Sequence, residues 1–310
     1  MTLRTRFTLI SILAAVLIAV IMYSTGRFIQ DEAEARYREA ATRGKQVLWS
    51  KIVRNHLARM ESGVATVSGD ADLVSAVAGD DPPEVAAAAE GLFEALSAGE
   101  GVRELLVLDP DGRVLYAGGT ELEGSTGVTM YREVLSQGSL MEGLLIDDHG
   151  RPSAAVAFPL HRGNELVGAA ALVTGVEPLL NDFQRSDSAE VFLYDAGGEL
   201  ASTADQNLLD GPGVPLPAAG ARAAHVIERG DQYYTVTLAP IKDYLGRPIG
   251  HLVSARNSTS TFEERREMQV LEYTVIVLGL LVVALFLLWY ARHAFGPMNQ
   301  LMGVVQRFGE

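Results

Sequence analysis

Two uncharged apolar segments bracket this chain: Phe7–Tyr23, reading FTLISILAAVLIAVIMY, and Tyr273–Tyr290, reading YTVIVLGLLVVALFLLWY. Each approaches the ~20 residues that carry a helix across a ~30 Å hydrocarbon core. If both cross, everything from Ser24 to Glu272 lies on one side. Arg4 and Arg6 precede the first segment with no acid between them, and Arg292 and Arg307 follow the second against only Glu310. The positive-inside bias then puts both termini in the cytoplasm and the middle outside. Tyr23, Tyr273, Trp289 and Tyr290 fall at the boundaries, where an aromatic belt sits. The first segment also has the length of a long signal-peptide core. No small-x-small cleavage site follows it, only STGRFIQDEAEAR, so an uncleaved anchor is expected.

Charge narrows the partners. Residues 24–272 hold 38 of the 39 acids and 21 of the 25 Lys and Arg, a net charge of −17. Such a surface repels DNA, RNA and anionic headgroups, so no nucleic-acid partner is expected. The excess also serves solubility, and by itself names no ligand. The chain has no cysteine, which excludes disulfides, thiolate metal sites and cysteine nucleophiles. The outer 249 residues must be held by their own core and have length for one or two domains.

From Thr25 to about Ser68 the composition is that of one long helix, without proline. Apolar residues recur at Phe28, Ala33, Tyr37, Ala40, Val47, Ile52, Leu57, Met60 and Val64, a stripe for the domain or for a partner helix. Asp70 or Asp72 can cap LVSAVAG, and Asp81-Pro82-Pro83 opens a further helix, EVAAAAEGLFEALSAG.

Beyond Gly101 the texture becomes short apolar runs separated by turn residues, and their order occurs twice. In the first copy ELLVL turns at Asp109-Pro110-Asp111-Gly112 into RVLYA. A helical stretch, VTMYREVLSQG, follows. LLI then leads through Asp147-Asp148-His149-Gly150 to SAAVAFPL, and Arg162-Gly163-Asn164-Glu165 leads to LVGAAALV. In the second copy EVFLY turns at Asp195-Ala196-Gly197-Gly198 into ELAST. DGPGVPLPAAG replaces the helix. AHVIE, YYTVTLAP and RPIGHLVSA then follow, joined by Arg229-Gly230-Asp231 and by Lys242-Asp243-Tyr244-Leu245-Gly246. Tight Gly/Asp turns enforce antiparallel pairing. Five short strands per copy predict an α+β fold: a long N-terminal helix and two PAS-like antiparallel-sheet units, flanked by two transmembrane helices.

Chemistry finds little footing. The six histidines are His56, His149, His161, His225, His251 and His293, with no metal-ligand spacing among them. No phosphate loop, nucleophile elbow or kinase signature is present. Asp147-Asp148 and the acids of SGDADLVSA read as turn and cap residues. No catalytic residue, metal site or cofactor is expected.

The whole arrangement resembles the double Cache sensor class, which supplies the outer domains of methyl-accepting chemotaxis proteins, sensor histidine kinases and membrane-bound diguanylate cyclases. The stretches that carry the resemblance are LLVLDPDGRVLYAG, FPLHRGNELVGAAALVTGVEPLLNDF, VFLYDAGGELASTAD and APIKDYLGRPIGHLVSARNSTSTF. After Pro297, Met298, Leu301, Val305 and Phe308 resemble the opening helix of a HAMP unit. The implied layout has eight parts. It runs from a cytoplasmic start (1–6) and a first span (7–23) to a stalk helix (24–69). A membrane-distal Cache unit (70–180), a membrane-proximal one (181–258) and a linker helix (259–272) follow. A second span (273–290) and the start of a truncated HAMP domain (291–310) complete it. Such a protein sits in a bacterial inner membrane as a homodimer. It binds a small molecule outside and signals to a cytoplasmic domain.

The class places its ligand between the concave sheet face and the segment after the second strand. Carried over by position, the pocket takes Met130, Tyr131 and Arg132 from that segment and Tyr116, Ile146, Asp147, Phe158 and His161 from strands and turns. Aromatics supply apolar contact, and an Arg can grip a carboxylate with two parallel bonds. Each of these residues also has an ordinary structural role open to it, in the core or on a solvated helix face. The amino-acid-binding pattern of the class continues with aromatic and Asp residues, whereas here Glu133-Val134-Leu135-Ser136 follow. That departure points to a small organic acid or another metabolite. The alternative is a protein-interaction or dimerisation module with no small-molecule ligand. An outer-facing enzyme has no residue constellation behind it.

Overall fold

The computed structural model describes residues 3–99, 101–119, 128–146, 150–195, 197–204, 208 and 222–307, and their side chains apart from 3–12, 15, 34 and 291–307. The chain divides into two units, Met1–Arg38 with Ser258–Glu310, and Glu39–Asn257.

The first unit comprises the beginning of α1 (Leu3–Ser68) and all of α6 (Thr259–Arg307). Among the described residues one segment is long and apolar enough to cross a membrane, Thr259–Tyr290 of α6, and none of its apolar window is buried. The apolar stretch Phe7–Tyr23 lies within α1; Leu17, Ile18, Ile21 and Met22 there are exposed. The Tyr23 and Tyr273 hydroxyls share a 2.7 Å hydrogen bond, with ring centroids 5.9 Å apart.

The second unit carries the rest of α1, then α2 (Ala71–Gly79), α3 (Pro82–Gly99), β1 (Glu104–Leu108), β2 (Val114–Gly118), α4 (Val128–Gln137), β3 (Met141–Ile146), β4 (Pro152–Arg162) and β5 (Glu165–Gly175). Next come α5 (Glu177–Asp187), β6 (Glu190–Tyr194), β7 (Glu199–Ser202), β8 (Ala223–Arg229), β9 (Gln232–Lys242) and β10 (Pro248–Asn257). The strands form two sheets of the same design, β2-β1-β5-β4-β3 and β7-β6-β10-β9-β8, each antiparallel throughout. The α+β class and the twofold repeat of five strands hold.

The turns explain the pairing. Asp109 Oδ1 accepts from Asp111 N and Arg113 N at 3.0 and 2.8 Å, Arg113 Nε donates to Asp109 Oδ2 at 3.0 Å, and Gly112 has φ of 83°. Asp243 does the same for Leu245 N and Arg247 N at 2.9 and 2.8 Å, Arg247 Nε meets Asp243 Oδ2 at 2.9 Å, and Gly246 has φ of 78°. The shared D-x-x-G-R spelling therefore builds the same turn twice, with Asp replacing backbone partners and glycine taking the left-handed position. The turn residues 147–149 and the stretch 209–221 lie outside the described residues.

Asp70 caps α2 by accepting from Leu73 N at 2.7 Å. On the described part of α1 the buried positions are Thr42, Trp49, Ile52, Leu57, Met60, Gly63 and Val67. All but one of the steps between them are of three, four or seven residues, which keep to one side of a helix. The stripe expected through Phe28, Tyr37 and Val47 is exposed instead, and Trp49 takes the inward position. Its indole meets Phe183 of α5 edge-on, centroids 6.2 Å apart. This α1 face joins one large apolar cluster with Leu73 and Val77 of α2, Val85 and Leu96 of α3, and Leu179 and Leu180 of α5. One face of each sheet completes it, with Leu105, Val107, Val156 and Leu172 from the first and Val191, Leu193, Ile241 and Leu252 from the second. Each fully buried Leu or Phe there contributes about 1.5–3 kcal/mol. The opposite faces carry separate, smaller clusters.

Candidate ligand site

The reverse face of the first sheet is covered by α4. Met130 and the adjacent Tyr131, with Val134 one turn further on, lie on the inward side of that helix and are fully buried. They meet Leu106 and Leu108 of β1, Ala155 and Ala157 of β4, and Ala169, Ala171 and Val173 of β5. Four of these sheet positions are alanine, so large side chains on the helix face small ones on the sheet. The bulk over the alanines comes from α4, and Leu106, Leu108, Leu145 and Val173 supply the rest from the sheet.

Two phenols end in that layer with no partner among the described residues. The Tyr131 hydroxyl is buried and makes no hydrogen bond with the described residues, and the same is true of Tyr244, which packs against the same cluster. Burial pushes the Tyr131 phenol well up from its ordinary value, and the charge of Glu104 adds to the shift. Burial likewise raises Tyr244, with Glu133 adding to it and Arg247 opposing. A buried hydroxyl with no partner costs about 1–3 kcal/mol, so two in one layer call for an acceptor that the described chain does not supply. Both phenols stay protonated across physiological pH and present O–H donors.

Tyr244 arrives from the other sheet. It sits in the β9–β10 turn, and its backbone N donates to Leu144 O of β3 at 3.0 Å. Gly143 permits the approach: a Cβ there would lie 2.7 Å from Tyr244 Cα, and its φ is 150°. The second sheet thus reaches the layer behind the first.

The residues expected in the pocket are divided by the sheet. Met130 and Tyr131 share the α4 layer. Tyr116 and Phe158 lie on the opposite face, in the cluster with α1, α2 and α3, and Tyr116 donates to Glu90 of α3 at 2.6 Å. The registers Val107↔Tyr116 and Phe158↔Ala170 fix both on that side. Ile146, half-buried, alternates with Leu144 and so shares that opposite face. Arg132 is exposed on α4, His161 is exposed near the end of β4, and Asp147 lies outside the described residues. Among the described residues no group of His, Asp and Glu is placed to hold a metal ion.

No family model and no curated protein matches this chain. Solved structures do. The periplasmic domain of Vibrio cholerae LuxQ is 14% identical, with a TM-score of 0.46 over 70% of this chain and 99% of that one. The sensor domain of the V. cholerae histidine kinase DctB is 13% identical, with a TM-score of 0.43 over 70% and 98%. The ligand-binding domain of the Pseudomonas aeruginosa amino-acid chemoreceptor PctC, in complex with GABA, is 17% identical, with a TM-score of 0.36 over 67% and 96%.

Proposed function

We propose that this chain is a transmembrane sensory receptor of the double Cache type. Its first sheet unit binds a small organic acid or similar metabolite between the sheet and α4. The Tyr131 hydroxyl carries the reading: an O–H donor sealed in an apolar layer, without an acceptor among the described residues. A ligand oxygen supplies that acceptor, and Tyr244 offers a second donor from the neighbouring unit. Occupancy is then felt at the Tyr244–Leu144 contact, passes along β9 and β10, and leaves through α6. From there it reaches the second span and a HAMP-like linker over 291–310. The ligand shifts this equilibrium only by its differential affinity for two arrangements, typically ~1–3 kcal/mol.

The receptor works as a homodimer in this reading. Ala33, Tyr37, Ala40, Gly44 and Val47 of α1 are exposed and follow one another at steps of three and four, the spacing of a helix seam. Both termini are cytoplasmic, and the sheet units face outward.

Calorimetry on the full chain in lipid nanodiscs, against short mono- and dicarboxylic acids, tests the site. Saturable binding is expected, weakened about 2–10-fold by Tyr131→Phe, the loss of one neutral hydrogen bond. Absence of binding by every acid, or affinity untouched by that substitution, refutes it. The chain lacks cysteine, so Asp111→Cys introduces a single thiol. An impermeant maleimide should label it on intact spheroplasts; labelling only after lysis refutes the topology.

A further inference from the structure

The second sheet carries a cavity of its own. A cleft of about 780 Å³ opens on the face away from α1, a size that suits a small metabolite. Ala204, Tyr234 and Ala255 give it an apolar floor, and Gln184, Glu190 and Thr203 give it a polar wall. Glu190 is the informative group. Gln184 Nε2 and Thr203 Oγ1 both donate to its Oε2, at 2.9 and 3.3 Å. Both donors are neutral. Among the described residues no cation pairs with this carboxylate, and no hydrogen bond reaches Oε1. The carboxylate is held in place by one oxygen while the other is left for something else.

A protonated amine meets that demand. It forms a charge-assisted bond to Oε1, its carbon skeleton lies on the alanines, and the Tyr234 ring offers a face that attracts cations. The surrounding acidic excess draws cations toward the cleft. We infer that this cleft is a second ligand site, selective for small organic amines, and separate from the α4 layer. Its position gives it direct access to the output. Ala255 and Asn257, the end of β10, line the cleft, and only Ser258 separates them from α6. An amine bound here acts on the last residues before the output helix.

The test uses the full chain in nanodiscs and four probes: phenethylamine, n-butylamine, 2-phenylethanol and butyrate. Ligand-observed NMR titration should give saturable binding for the two amines, at least tenfold tighter than for the alcohol or the acid. Glu190→Gln keeps the shape and removes the charge, so it should weaken amine binding tenfold or more. Ala204→Leu, at a half-buried position, narrows the cleft with Glu190 intact and should abolish binding if the Gln variant fails to fold. Tyr131→Phe should leave amine affinity unchanged, which separates this site from the α4 layer. Equal binding of amine and alcohol overturns the inference, as does wild-type affinity in Glu190→Gln or Ala204→Leu, or loss of amine binding in Tyr131→Phe.

Discussion

Asp187 ends α5, where a carboxylate opposes the helix dipole, and it is there for another reason. Lys45 of α1 places Nζ 2.7 Å from Asp187 Oδ2 and 2.6 Å from Ser254 Oγ of β10, and Ser254 Oγ donates to Asp187 Oδ2 at 2.8 Å. Only 14% and 12% of the Lys45 and Asp187 side chains are exposed. The Lys45 amine is held below its ordinary value: burial lowers it, the hydrogen bond and charge of Asp187 recover only part, and the nearby charge of Arg256 adds to the lowering. Desolvation therefore outweighs attraction. Asp187→Leu should leave a buried ammonium without its partner and cost about 3–5 kcal/mol. At about 2–4 °C per kcal/mol for a domain of this size, Tm falls by roughly 6–20 °C. The double variant Lys45→Met/Asp187→Leu removes both charges and should return to within about 1–2 kcal/mol of the parent. Fluorescence of the buried Trp49 follows the melt. The depressed amine also makes stability rise with pH between its folded value and the unfolded one near about 10.4, a gain absent in Lys45→Met. A double variant as unstable as Asp187→Leu, or a single-variant loss below about 1 kcal/mol, refutes the argument.

Gly143→Ala puts a methyl group against the Tyr244 backbone at a left-handed φ. It should lower Tm and raise the rate of proteolysis at the β9–β10 turn, whereas a solvent-facing glycine would tolerate the change. Asp182 is pushed up by burial, but the 2.9 Å bond to His56 and the charges of His56 and Arg185 outweigh this and hold it below the usual carboxylate range. Its contribution is thus present above about pH 4 and lost as pH falls through the folded value, so His56→Ala should move the acid limb of an unfolding curve to higher pH. Asp70→Ala removes the α2 cap and should cost about 1 kcal/mol, read as a fall of a few degrees in Tm.

Local chemistry was legible in the sequence, and sidedness was not. The D-x-x-G-R turns, the Asp70 cap and the proline-led α3 depend on neighbours a few residues away, and the residue types announce them. The faces of β1 and β5 do not announce themselves, because Leu105 to Leu108 and Val167 to Val173 are buried on both sides and show no alternation. The run Ala154 to Phe158 of β4 is buried without a break in the same way, so Phe158 carried no mark of the face it occupies. Helix α5 is weakly marked: Val176 gives it no side-chain cap, and Glu177 and Pro178 in its first turn are the signals of its start. Tyr244 sits in a turn, where exposure is the usual expectation. Nothing nearby in the chain tells that it reaches the layer behind the first sheet.

A tandem duplication ordinarily yields halves that can be cut apart and recombined. Here one α1 face lies under both sheets, and the β9–β10 turn occupies a notch that Gly143 leaves open. Severing the polypeptide near Ser188 would expose Val191 and Leu193 on one fragment and Leu179 and Phe183 on the other. Heating should accordingly give a single sigmoid for both modules, and grafting either one into an unrelated protein would have to bring α1 along.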